Sequence, residues 1–205
     1  MTCAIRLVDV PEPSQKSVVA LVSGTGTLLQ SILDNQDDSY RVSLVVADTD
    51  CPALRRAEDA GVATRVVELE GDRAEWNRRL RDAVSAADPD IVVSAGFMRI
   101  LGPDFLDVFE GRLINTHPAL LPAFPGAHAV RDALAYGVKV TGTTVHFIDG
   151  GVDTGEIIAQ RAVEVREGET AAELHERIKV QERALIVDAL RSAFITDGKV
   201  HFPWL

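Results

Sequence analysis

The sequence predicts an open α/β domain: a mostly parallel, twisted sheet with helices on both faces and an antiparallel extension in the C-terminal third. Three observations carry this expectation. Short apolar, β-branched runs recur through the first half, among them VVALV at 18–22, RVSLVVA at 41–47 and DIVVSA at 90–95; such runs mark strands buried on both faces. Amphipathic helical stretches alternate with them, which calls for right-handed crossovers between parallel neighbours. After Gly137 the alternation stops, and VKVTGTTVHFI and IIAQRAVEV are joined by the turn-rich DGGVDTGE with no helix between them.

Residues 1–16 read as a flexible N-terminal extension, because PEPSQKS has linker composition, and a single domain is expected over 17–205. VVALV runs into SGTG and then into TLLQSILDN, a strand, a glycine loop and a helix with Leu28 and Ile32 inward. The second strand is followed by PALRRAEDAG, a helix with Pro52 early and Gly61 as its stop. TRVVEL at 64–69 is a third strand, and Asp72 with Glu75 opens the next helix. The fourth strand, 90–95, leads into the loop GFMRIL and a short helix opened by Pro103. RLIN at 112–115 is a fifth strand, and AHAVRDALAY a helix ended by Gly137. Thr170 and Glu173 form a capping box for a long helix reaching about Phe194, and KVHFPWL suggests a last edge strand.

Composition narrows the function classes. A chain of 205 residues with 46% hydrophobic and 25% charged content is an ordinary globular domain with room for a full core. A net charge of −10 argues against a nucleic-acid surface, which needs clustered Lys and Arg. No apolar run approaches the roughly 20 residues of a membrane helix. Two cysteines, Cys3 and Cys51, fit a reducing cytoplasm, and no His/Cys/Asp/Glu cluster has metal-ligand spacing.

In open α/β sheets ligands bind beyond the carboxyl ends of the strands, so four loops hold the candidate residues. SGTGT at 23–27 exposes backbone N–H groups at a helix N-terminus, which suits a phosphate, although a plain tight turn explains it equally well. GFMRIL at 96–101 brings apolar side chains and Arg99 to a strand end, where backbone groups can meet the edge of a flat heterocycle. In NTHPALLPAFPG, Asn115 and His117 flank Thr116 and share one side if the strand continues, and three prolines stiffen the loop beyond them. An amide and a titratable imidazole aimed together can hold a carbonyl oxygen as it becomes an oxyanion. DGGVD offers Asp149, which reads as a turn residue, and Asp153; a carboxylate beside an imidazole favours its charged form, and spacing leaves open which of the two does so. His146 reads as more structural than functional, His128 as supporting at most, and His175 and His201 as ordinary helix and tail positions.

Taken together, VVALVSGTGTLLQSIL, VVSAGFMRIL, LINTHPALLPAFPG, TGTTVHFIDGGVDTGEIIAQ and KVQE resemble the folate-dependent phosphoribosylglycinamide formyltransferases over about residues 18–195. The resemblance implies a Rossmann-like formyltransferase fold and transfer of the formyl group of 10-formyltetrahydrofolate, a co-substrate, to the amine of glycinamide ribonucleotide in purine biosynthesis. It implies Asn115, His117 and Asp153 as catalytic residues. Gly26, Thr27 and Leu28 would bind the nucleotide phosphate, helped by Lys179, Val180, Gln181 and Glu182. Arg73, Met98, Arg99, Ile100, Leu101, Asn115 and the run Asp149, Gly150, Gly151, Val152, Asp153 would surround the folate. Leu28 departs from the family's frequent Asn, so only its backbone N–H can serve. Small-molecule substrates, no metal, no nucleic acid or membrane partner, and a cytoplasmic monomer or weak homodimer are expected. The alternatives are a 10-formyltetrahydrofolate deformylase and a non-catalytic folate- or nucleotide-binding module.

Overall fold

The computed structural model describes residues 15–203. Seven strands form one sheet: β1 (Lys16–Val22), β2 (Tyr40–Ala47), β3 (Ala63–Val66), β4 (Ile91–Ser94), β5 (Leu113–His117), β6 (Val140–Phe147) and β7 (Ile157–Glu164), in the order β3-β2-β1-β4-β5-β6-β7. The first five are mutually parallel, whereas β6 runs antiparallel to β5 and β7 antiparallel to β6, the extension expected from the missing helix. Strand order reverses between β1 and β4, so the loops after these two strands diverge and open a crevice there.

The helices are α1 (Thr27–Asp34), α2 (Pro52–Asp59), α3 (Arg73–Ser85), α4 (Pro103–Leu106), α5 (Ala129–Tyr136) and α6 (Ala171–Ser192). Alternation along β1 divides the core. Val18, Ala20 and Val22 pack with Leu29 and Ile32 of α1, Ala53 of α2 and Ile186 of α6 on one face. Val19 and Leu21 pack with Trp76 and Leu80 of α3 and Phe105 of α4 on the other. Every β1 residue from Val18 to Val22 is fully buried, which is why this strand reads as an unbroken apolar run. Both expected caps are present: Asp72 accepts from the Glu75 N–H, and Thr170 and Glu173 close a capping box on α6.

Several boundaries differ from expectation, each for a physical reason. Lys16, expected in the extension, begins β1; its buried Nζ donates to the Ala193 carbonyl at 2.7 Å, closing the C-terminal end of α6. Residues 1–14 of that extension lie outside the described residues. β3 stops at Val66 rather than at residue 69, because the Val67 carbonyl is taken by the indole N–H of Trp76 at 2.8 Å. The tail does not extend the main sheet. It forms a separate hairpin of β8 (Phe194–Thr196) and β9 (Lys199–His201). Among the described residues no helix is long and apolar enough to cross a membrane.

Candidate active site

Strand β5 continues two residues past the expected RLIN, through Thr116 and His117. Asn115 and His117 therefore share the α3/α4 face of the sheet, and Thr116 points to the other face. On that other face the Thr116 hydroxyl donates to Glu182 Oε1 of α6 at 2.6 Å. One strand end thus carries polar side chains on both faces of the sheet.

On the Asn115 side is a cleft lined by Ser94, Phe97, Arg99 to Leu101, Asn115, His146, Ile148 and Asp149 to Asp153. It gathers most of the residues expected around a flat ligand. Its β4–α4 wall is pinned from outside. The Met98 N–H donates to Ser23 Oγ of the glycine loop at 2.9 Å, and Arg73 Nη2 donates to the Ile100 carbonyl at 2.8 Å. Arg99 pairs with Asp48, whose side chain is 1% exposed and whose Oδ1 has no partner among the described residues. Arg73 and Met98 do not line the cleft: Arg73 holds the loop from behind, and the Met98 side chain is exposed.

The two aspartates separate clearly. Asp149 is consumed by its own turn, accepting from the Gly151 N–H and the Thr154 hydroxyl; the Thr154 bond, foremost, holds its carboxyl below the ordinary value. Asp153, with φ 54, turns back to the strand ends. Its Oδ2 lies 3.3 Å from His117 Nδ1, and its Oδ1 lies 3.7 Å from His146 Nε2. Asp153 is therefore the acid beside the imidazole.

His117 is buried and does not line the cleft; Asp153 stands between. Its second nitrogen, Nε2, is 2.8 Å from the Phe124 carbonyl. A carbonyl only accepts, so Nε2 carries a proton. The proline loop explains itself here. Its Leu121–Pro122 peptide is cis, and Phe124 is held at φ 54, an uncommon state for a bulky side chain. The loop is tied to the sheet by Leu121 N–H to Thr144 Oγ1 at 3.1 Å and Gln160 Nε2 to the Leu121 carbonyl at 2.8 Å. So fixed, it presents the Phe124 carbonyl to His117 and the Gly126 N–H to Asp153.

His146, which reads in the sequence as mainly structural, belongs to the site. It pairs with Asn115 across β5 and β6, and its Nε2 is 3.2 Å from Asn115 Nδ2. Burial pushes its pKa below the ordinary 6.5, against the pull of the Phe147 carbonyl and Asp153. The signal for it lies in cross-strand register, which a single sequence does not display.

The residues expected around the nucleotide lie on α1 and α6, which pack together on the opposite face of the sheet. Gly26 caps α1 in the left-handed region at φ 72, and among the described residues no side chain caps this helix N-terminus. The Leu28 side chain turns into the core. Of the α6 residues, Lys179 pairs with Glu176 at 2.8 Å and Val180 is exposed. Glu182 is half-buried, and desolvation pushes its pKa above the ordinary value of 4.5. Among the described residues no group of three His, Cys, Asp or Glu side chains is placed to hold a metal ion.

An amide and an acid-supported imidazole at a strand end, together with a glycine-capped helix N-terminus elsewhere on the sheet, suit acyl-group transfer to an anionic acceptor. Residues 16–190 match the formyl transferase family model. The chain is 53% identical over 193 residues to phosphoribosylglycinamide formyltransferase of Mycobacterium tuberculosis, covering 92% of this chain and 89% of that protein. It is 36% identical over 190 residues to the Escherichia coli enzyme of the same name, covering 90% and 89%. The crystal structure of glycinamide ribonucleotide transformylase 1 from Symbiobacterium toebii matches with a TM-score of 0.86 at 38% identity, covering 93% of this chain and 95% of that one. The chain belongs to the phosphoribosylglycinamide formyltransferase family.

Proposed function

We propose that this chain transfers the formyl group of 10-formyltetrahydrofolate to the glycinamide amine of 5'-phosphoribosylglycinamide, a step of purine assembly. The observation that carries the reading is the junction at β5, where Asn115 at the cleft and His117 beside Asp153 share one face while Thr116 meets Glu182 on the other. Two substrates can approach one strand end from opposite faces of the sheet.

The cleft fits a flat, polar-edged ring: Phe97, Ile148 and Val152 give apolar walls, and the loop from Met98 to Leu101 brings backbone groups held by Ser23 and Arg73. When bound, the donor supplies a formyl carbon whose oxygen turns negative as an amine adds. The Asn115 amide faces the cleft and donates to that oxygen. The Phe124 carbonyl holds His117 at Nε2, so Nδ1 faces Asp153, and the ring acts on the cleft from beside that carboxylate. Asp153, at the cleft wall, supports the charged ring. The new C–N bond to the amine forms as the C–N10 bond of the folate breaks, and the proton shed by the amine passes to N10, so that tetrahydrofolate leaves with N10 protonated.

On the other face, the backbone N–H groups of Thr27 and Leu28 at the uncapped start of α1 suit the phosphate, with Gly26 allowing the turn. Lys179, Val180, Gln181 and Glu182 of α6 would help hold the nucleotide, with Glu182, which accepts from Thr116, towards the glycinamide amine. This anion-binding half favours transfer over deformylation, whose nucleophile is water. The chain is taken to act in the cytoplasm as a monomer or weak homodimer.

Substitution of Asn115 tests the chemistry. Asn115→Ala should lower kcat by about 10²–10³ while KM for both substrates stays near the wild-type values. A kcat within a factor of a few of wild type would remove Asn115 from the mechanism.

A further inference from the structure

We propose that His146 is a positioning residue for Asn115: its bare Nε2 accepts one side-chain N–H of Asn115 and leaves the second N–H directed at the cleft. The inference rests on the acyl-transfer reading above and deepens it.

The other ring nitrogen sets the tautomer. His146 Nδ1 lies 2.8 Å from the Phe147 carbonyl, which can only accept, so Nδ1 carries a proton. The neutral ring then has only a lone pair at Nε2. The Asn115 amide, 3.2 Å away, can meet that lone pair only with its NH2 group. Its carbonyl oxygen there would place lone pair against lone pair. The flip of the amide is therefore determined by the tautomer of the histidine, and that tautomer by a backbone carbonyl of β6.

The surroundings keep the ring neutral. His146 is 2% exposed, and burial lowers its pKa. The titratable groups facing it are Asp153, His117 and Asp149. Asp153 approaches with Oδ1 at 3.7 Å, while its other oxygen is engaged by Gly126 and His117. A second proton on the ring would point an N–H at the Asn115 NH2 and force the amide to turn, withdrawing a donor from the cleft. The geometry thus gives this buried histidine a task that needs its neutral form, distinct from that of His117.

Two substitutions separate positioning from packing. His146→Gln keeps an acceptor near the Nε2 position, whereas His146→Met fills similar space without one. The expected kcat loss for His146→Met is about 10- to 10²-fold, short of removing an oxyanion donor outright, with KM for both substrates little changed. His146→Gln should recover most of the loss. In an Asn115→Ala background His146→Met should add almost nothing, because both changes act through the same donor, the Asn115 amide. Equal losses in the Gln and Met variants, or a full additive loss in the Asn115→Ala background, would overturn the proposal. NMR of isotope-labelled imidazole nitrogens gives a readout independent of turnover. At neutral pH one histidine signal should show the Nδ1-protonated tautomer and vanish in His146→Gln; an Nε2-protonated His146 would refute the assignment. Because this measurement needs no substrate, it decides the role of His146 even if wild-type protein fails to transfer formyl groups.

Discussion

The backbone N–H of Gly126 donates to Asp153 Oδ2 at 2.7 Å, the same oxygen that lies 3.3 Å from His117 Nδ1. The proline loop therefore grips both partners of the imidazole–carboxylate pair, His117 through the Phe124 carbonyl and Asp153 through Gly126. Gly126 sits at φ 89, where a side chain is disfavoured although nothing lies within 4 Å of the added Cβ. Gly126→Ala should cost about 1–2 kcal/mol of stability from backbone strain alone. It should also lower kcat by displacing the N–H from Asp153. Denaturant unfolding and steady-state rates on one preparation check both; unchanged turnover would show that the clamp does not matter to catalysis.

Asp153→Asn retains an oxygen for the Gly126 N–H but removes the charge facing His117. We expect a kcat loss of about 10²–10³ with little change in Tm, since the loss is one of transition-state electrostatics. A variant as active as wild type would exclude Asp153 from the chemistry.

Glu182 links stability to pH. Burial raises its pKa above 4.5, so the folded state binds its proton more tightly than the unfolded chain does. Stability is then lost as pH rises from the ordinary carboxylate value through the raised one, and the deficit persists above it. Glu182→Gln removes that deficit. Its Tm should exceed the wild-type value at neutral pH and converge with it in acid, while KM for the nucleotide rises. A lower Tm at neutral pH would show that the charged carboxylate stabilises the fold.

The Asp48–Arg99 pair is asymmetric, with side chains 1% and 40% exposed. Removing Arg99 strands a buried carboxylate whose Oδ1 already lacks a partner among the described residues. Arg99→Leu should therefore cost about 2–3 kcal/mol, more than Asp48→Asn. Both should raise KM for the folate, because the pair holds the cleft wall. Equal destabilisation by the two variants in chemical denaturation would contradict this.

Gly26 answers the ambiguity of SGTGT in favour of architecture first. A Cβ there would meet Ala53 Cβ at 2.7 Å and Ala53 Cα at 2.8 Å, at φ 72. Gly26→Ala should destabilise by at least about 2 kcal/mol whether or not a ligand is present, as thermal melts with and without the nucleotide would show. The tight turn is needed to seat α2 on α1, and any phosphate site is built on that turn.

Much of this is legible in the sequence because it derives from local pattern. The apolar runs mark the buried strands, the missing helix after residue 148 marks the antiparallel extension, and strand alternation pairs Asn115 with His117. The features that escape a sequence reading depend on long-range register. Asp153 can be told from Asp149 only once the turn is seen to use Asp149 for its own N–H and hydroxyl groups. His146 becomes a site residue because β6 sets it opposite Asn115. Ser23 and Asp48 support the cleft wall through partners 75 and 51 residues away, a relation no local window contains.

Formyl transfer itself is tested most directly by mixing purified protein with 10-formyltetrahydrofolate and measuring the folate absorbance with and without glycinamide ribonucleotide. Turnover is expected only when the nucleotide is present. Equal turnover in its absence, or none in either mixture, would contradict transfer to that amine.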